Sequence, residues 1–193
     1  CAERAGPGVE VIEPDYREQL RLLRRHRPSG WRHRLGRGGA GRTAGEQKDE
    51  GGHDARILVS AGYTLFALDA ATGRPIEIFG TRGGVDLRQG LGDRAKSLYV
   101  VPNTPGAIYR DLLILGTRVS EGPGPAAPGH IRAYDVRTGK IRWIFHTIPW
   151  PGEPGYDTWP PDAYTRIGGA NAWSGISVDP TRGLVFLPTG SAA

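Results

Sequence analysis

Ala133-Tyr134-Asp135-Val136-Arg137-Thr138-Gly139-Lys140-Ile141-Arg142-Trp143 is the stretch whose reading decides the fold. Strand-forming residues lie on both sides of Thr138-Gly139, and the alternation breaks only where a turn needs a residue free to take positive φ. The stretch therefore predicts an outgoing strand, a tight turn at Gly139 and a return strand. A weaker copy stands upstream as Ala67-Leu68-Asp69-Ala70-Ala71-Thr72-Gly73-Arg74-Pro75-Ile76-Glu77, with Glu77 at the tryptophan position and Ile78 and Phe79 left to supply apolar packing.

The two copies start 66 residues apart. Blades of radially repeated sheets take about 40–50 residues, so the interval holds an insertion or a degenerate unit. Repetition on this scale predicts a β-propeller rather than a single sandwich. The composition agrees, since 30 glycines and 16 prolines suit short strands joined by tight turns. At 193 residues the chain is too short for a whole large propeller. Met is absent even at position 1 and the chain stops just after a strand, which together predict processing or truncation.

The net charge of +5 is confined to one segment. Residues 21–45 carry Arg21, Arg24, Arg25, Arg27, Arg32, Arg34, Arg37 and Arg42 with no carboxylate, leaving the remainder at −3. A nucleic-acid footprint needs positive charge on a shaped surface, so none is expected on the folded part. Residues 1–52 are expected to be irregular or disordered. Within them, 13–26 allows one short amphipathic helix with Asp15 as N-cap. Gly36 to Gly41 spells G-x-G-x-x-G, but no strand precedes it to deliver the glycines to a phosphate. Residues 53–193 then read as a truncated propeller of about two to three blades.

In that region the expected strands are 57–60, 63–68, 76–79, 107–109, 112–116, 130–134, 140–146, 172–178 and 184–187. Residues 80–104 read as a polar connection. Residues 147–169 form a long, proline-rich loop bearing Trp150, Tyr156, Trp159 and Tyr164, the kind of segment that makes a functional rim. Cys1 is the single cysteine, so neither an intramolecular disulfide nor a cysteine zinc site is available. It stands either as the lipid-bearing first residue of a processed lipoprotein or as an arbitrary start. His26, His33, His53, His130 and His146 show no metal-binding spacing, and no nucleophile elbow or phosphate loop is present.

The pattern Ala-x-Asp-x-x-Thr-Gly-Lys-x-x-Trp resembles the tryptophan-docking repeat of the pyrroloquinoline quinone (PQQ) dehydrogenases. There it closes a four-stranded antiparallel blade and packs the indole against the next. Further ordered matches resemble the glucose-dehydrogenase-like branch of that family: Phe79-Gly80 through Val85-Asp86-Leu87, Thr104-Pro105-Gly106, Val119-Ser120-Glu121-Gly122, and Gly169-Ala170-Asn171-Ala172-Trp173 leading to Leu187-Pro188-Thr189-Gly190.

The resemblance implies an all-β partial propeller that oxidises an aldose or alcohol by hydride transfer to PQQ, with Ca²⁺ as Lewis acid. It implies Glu121 as a calcium ligand, since hard Ca²⁺ takes anionic oxygen. It implies Trp173 as the floor under the quinone ring, Asn171 as a hydrogen-bonding neighbour, and Asn103 with Thr104 as further cofactor contacts. By residue type alone Glu121 also suits a solvated loop, and Trp173 also suits packing between blades. The family's general-base aspartate and further metal ligands would lie beyond Ala193, and its upstream arginine contact has no match, so this polypeptide alone is expected to be inactive. Implied partners are a sugar or alcohol substrate and a quinone or cytochrome acceptor, in the periplasm, with membrane association admitted. The alternative from another class is a non-catalytic scaffold such as an outer-membrane assembly lipoprotein, which shares the repeats without the cofactor; Cys1 favours it.

Overall fold

The computed structural model describes residues 55–193 together with the backbone of two short strands before them. In chain order the strands are β1 (Val9–Glu10), β2 (Glu46–Gln47), β3 (Arg56–Ala61), β4 (Thr64–Asp69), β5 (Gly84–Asp86), β6 (Val100–Val101) and β7 (Ala107–Tyr109). They continue as β8 (Leu112–Leu115), β9 (Arg118–Val119), β10 (Ile131–Asp135), β11 (Ile141–Phe145), β12 (Ser177–Asp179) and β13 (Leu184–Phe186). One short helix, α1 (Ala163–Arg166), lies in the long loop. The strands pair antiparallel into a first blade, β1-β2-β3-β4-β5, a second blade, β7-β8-β10-β11, a β6-β9 ladder and a β12-β13 hairpin. The architecture is a partial β-propeller. Among the described residues no helix is long and apolar enough to cross a membrane.

The two Thr-Gly repeats fold alike down to individual hydrogen bonds. The Asp69 Oδ1 accepts the Thr72 N–H at 2.7 Å and hydroxyl at 2.6 Å; the Asp135 Oδ1 accepts those of Thr138 at 2.8 and 2.9 Å. Gly73 donates to the Asp69 carbonyl and Gly139 to that of Asp135, each at 2.8 Å, with φ of 66° and 72°. These contacts hold the Asp69 carboxyl below its ordinary value, the Thr72 hydroxyl first. For Asp135, partial burial pushes upward but is outweighed by the Thr138 N–H and hydroxyl, the Arg137 N–H and the Arg142 cation.

The first copy's return strand differs from the expected 76–79. Pro75 bridges Leu68 and the Ile76 N–H donates to Ala67, after which the chain loops out and resumes the same edge with Gly84 opposite Phe66. Residues 77–83 are thus inserted into a strand that β5 completes, inside what the sequence suggests is a connection. Phe79 fills the core, whereas Ile78 is 76% exposed. Residues 172–176 are likewise not strand, and β12 begins only at Ser177. Glu46–Gln47 extends the first blade on the far side of β3 although its side chains carry no β pattern; an open strand edge offers its hydrogen bonds regardless of side chain. The helix expected over 13–26 lies outside the described residues.

Strands β3, β4, β8 and β10 are buried on both faces, so they read as apolar runs rather than as alternation, whereas edge strand β11 stays largely exposed. From β8, Leu113 and Leu115 face the first blade while Ile114 faces β12-β13; from β10, Tyr134 points one way and Ile131 and Ala133 the other. Trp143 stands opposite Ala133 on edge strand β11, on the face that Ala133 turns toward β12-β13, and is 36% exposed. Beyond that pair the register slips between Ala133 and Tyr134, which puts both Ile141 and Ile144 beside Gly90. The turn itself binds the first blade. The Thr138 carbonyl accepts the Gly80 N–H at 2.9 Å, and Arg56 donates from β3 to the carbonyls of Val136 and Arg137 at 3.0 and 3.1 Å.

The loop over 147–169 is pinned by its own polar and aromatic groups. Glu153 accepts the Trp150 N–H at 2.8 Å and meets His146 Nδ1 at 2.8 Å, while the Trp150 and His146 rings stack at 4.4 Å. His130 packs edge-on against His146 at 4.6 Å, 3% exposed, with no hydrogen-bond partner for its Nδ1 among the described residues. Burial, followed by the influence of His146, Arg132 and Arg94, pulls its pKa down to about 3 against the attraction of Glu153.

Two outcomes are expected. A Cβ at Gly139 would lie 2.6 Å from Val85 Cγ2, whereas one at Gly73 meets nothing within 4 Å. In urea unfolding of the full-length protein, Gly73→Ala should cost about 1–2 kcal/mol from left-handed strain alone, and Gly139→Ala roughly 2–5 kcal/mol through added overpacking; equal costs would contradict the inter-blade contact. For His130 the folded value lies below the unfolded one, so its contribution is full above about pH 6.5 and is lost as the pH falls toward about 3. Acidifying from pH 7 to 5 should then remove about 2 kcal/mol through His130. His130→Phe should flatten that part of the stability profile, measured by denaturation at each pH.

Candidate functional site

Where the chain leaves the sheets, four segments converge with little side-chain bulk between them. The carbonyl of Ala127 accepts the Gly169 N–H at 3.1 Å, and that of Ser191 accepts the Ala170 N–H at 2.8 Å. Gly168 and Ala193 exchange two bonds of 3.0 Å. The approach is close enough that a Cβ at Gly129 would sit 2.5 Å from the Asn171 Cα, so only glycine permits it. The result is a backbone platform from which residues 171–174 project.

Asn171 is 2% exposed, and its Nδ2 donates to the Thr117 carbonyl at 2.9 Å. Its own carbonyl accepts the Gly190 N–H at 3.0 Å, and Gly190 in turn lies against the pyrrole edge of Trp173. Trp173 is 46% exposed. A rigid, exposed indole face anchored at one edge is suited to stacking a flat ligand at little entropic cost. The Thr104 hydroxyl donates to the Ser174 carbonyl at 3.3 Å, which ties the 102–105 segment to the same platform. Asn103 is exposed beside it.

Glu121 is also exposed, but it arrives from the other direction. In the antiparallel ladder Val100 pairs Val119 and Val101 pairs Arg118, so Asn103-Thr104 and Glu121 leave β6-β9 at opposite ends. The structure thus brings Asn171, Trp173 and Thr104 to one platform, while Glu121 lies on the exposed loop that follows β9. A calcium ion takes about 6–8 oxygen ligands. Among the described residues no group of three His, Cys, Asp or Glu side chains could hold a metal.

Two contributors are not legible as site residues in the sequence. Thr117 is fully buried and holds Asn171 through its carbonyl, a main-chain role that no side-chain motif announces. Arg132 donates to the carbonyl of Leu87, to that of Gln89 at 3.4 Å and to the Thr117 hydroxyl at 3.2 Å. Its one sequence signal is a charge inside the apolar run from Ile131 to Tyr134. Nearby, burial pushes the Tyr134 hydroxyl pKa up, and the Arg88 guanidinium holds the Asp86 carboxyl below its ordinary value despite partial burial.

Comparison with known proteins agrees with the fold. The family model described as "PQQ: Glucose/ethanol/alcohol dehydrogenase, beta-propeller domain" matches residues 21–193. The chain is 37% identical over 130 residues to quinate/shikimate dehydrogenase (quinone) of Acinetobacter baylyi, covering 67% of this chain and 16% of that protein. It is 36% identical over 130 residues to the glycerol dehydrogenase large subunit of Gluconobacter oxydans, covering 67% and 17%. Among solved structures it is similar to a quinohemoprotein alcohol dehydrogenase of Pseudomonas putida, with TM-score 0.55 and 26% identity over 78% of this chain and 21% of that one. The chain therefore spans about a sixth of the length of these curated relatives. Repeat, fold and likeness converge: the chain belongs to the PQQ dehydrogenase β-propeller family.

Proposed function

We propose that the protein to which this chain belongs is a quinoprotein dehydrogenase that oxidises an alcohol or aldose hydroxyl. In this reading PQQ would serve as hydride acceptor and Ca²⁺ as Lewis acid, with a quinone or cytochrome as the onward electron acceptor and the periplasm as the compartment. The observation that carries this reading is Trp173, an exposed indole held at its pyrrole edge by Gly190 and flanked by Asn171 within a PQQ-family propeller. The relatives are named as dehydrogenases for quinate or shikimate, glycerol, glucose and alcohol, which supports an enzyme over a scaffold and a hydroxyl-bearing substrate over other classes.

PQQ, when bound, supplies the electron-accepting quinone. The chain's own part is binding and orientation. Trp173 offers a flat wall, Asn171 and Thr104 hold that wall's neighbours in place, and Asn103 adds an exposed amide at the same end of the ladder. Glu121, a carboxylate without an ion-pair partner among the described residues, is proposed as one oxygen ligand of a calcium site whose other ligands lie elsewhere.

With PQQ and Ca²⁺ added, the full-length protein should reduce an artificial dye when given glucose, glycerol or a simple alcohol. Trp173→Ala should weaken PQQ binding at least about tenfold, because truncating a buried or stacked aromatic forfeits roughly 1.5 kcal/mol or more. Absence of dye reduction with every substrate tried, at saturating PQQ and Ca²⁺, would overturn the redox reading and leave the fold standing.

A further inference from the structure

The largest fully buried side chain among the described residues is a cation, Arg132. Among the described residues no carboxylate pairs with it. Its guanidinium instead joins three segments: the connection leaving the first blade through Leu87 and Gln89, its own strand β10, and the 116–119 segment through the Thr117 hydroxyl. It also lies 5.9 Å from the Tyr134 ring centre. An apolar side chain of similar volume would fill the space without the cost of desolvating a charge. A planar fork of donors reaches two carbonyls of one segment and a hydroxyl of another at once, which a single-point cation does not.

The chain of contacts continues outward. Thr117, held by Arg132 at its hydroxyl, accepts Asn171 Nδ2 at its carbonyl, 2.9 Å away. Asn171 accepts the Gly190 N–H at 3.0 Å, and Gly190 borders the Trp173 indole. We infer that Arg132 is a positioning residue for the cofactor, setting the aim of Asn171 and the seat of the Trp173 indole from within the blade interface. This rests on the PQQ reading above. The arrangement couples cofactor binding to the contact between the two blades, because the guanidinium that steadies the platform is clamped by the first blade's exit connection.

The test is PQQ affinity in the full-length protein, measured by equilibrium dialysis with PQQ absorbance so that no turnover is required. Arg132→Lys keeps the charge but loses the fork, and should raise the dissociation constant about 10–100-fold, as loss of a supporting outer partner typically does. Thr117→Val removes only the hydroxyl and should raise it about threefold or more. In a double-mutant cycle, Asn171→Ala should cost less affinity in the Arg132→Lys background than alone, a coupling that a merely structural role would not produce. A folded Arg132→Lys protein that binds PQQ as tightly as the unsubstituted one, or fully additive losses, would overturn the inference while leaving the PQQ reading intact. Should Arg132→Lys fail to fold, Thr117→Val decides, and unaltered affinity there overturns the inference. If the unsubstituted protein does not bind PQQ, the functional reading falls and this inference with it.

Discussion

The contact between the second blade's Thr-Gly turn and the first blade is the constraint the rest of the structure depends on. Thr138 receives the Gly80 N–H, Arg56 caps the carbonyls of Val136 and Arg137, and Gly139 lies against Val85 and Phe79. The bond to Val136 satisfies a buried carbonyl that the apolar interface would otherwise leave bare, a cost of about 1–3 kcal/mol. Leu58, Leu65, Phe79, Leu113, Leu115 and Tyr134 close around the same interface. A sheet apolar on both faces has no stable alternative to being stacked this way.

The candidate site inherits its order from that stacking. No regular strand carries Asn171 or Trp173; they project from backbone that is irregular and positioned by contacts on both sides. Such a segment has few bonds of its own, so its precision comes from the bodies it touches. Thr117 and Gly190 provide the contacts, and Arg132 links them to the blade interface. Loops held by a rigid scaffold are where binding residues commonly lie, and here the scaffold reaches into the loop through a buried cation.

The hairpin repeat was legible because its causes are local. An aspartate that bonds its own turn and a glycine at positive φ need only a few consecutive residues, and both copies fold as the letters suggest. The bulge that sets both Ile141 and Ile144 beside Gly90 was not, because a register slip depends on which partner strand is present. Nor was the division of the first copy's return strand by residues 77–83, since Ile76-Glu77-Ile78-Phe79 carries a β pattern that the core overrode by claiming Phe79.

The sequence by itself determined the all-β repeat, the propeller family and the identity of Asn171, Trp173, Thr104, Asn103 and Glu121 as candidates, because turn chemistry and ordered motifs are written in neighbouring residues. Tertiary structure alone decided that Thr104 joins the platform of Asn171 and Trp173 while Glu121 leaves the β6-β9 ladder at its other end. It alone decided that Arg132, one charge in an apolar strand, holds segments 45 residues apart at Leu87 and 15 apart at Thr117. The physical reason is that strand order, register and the far partner of a buried donor are properties of the assembled sheets, and no stretch of chain holds them alone.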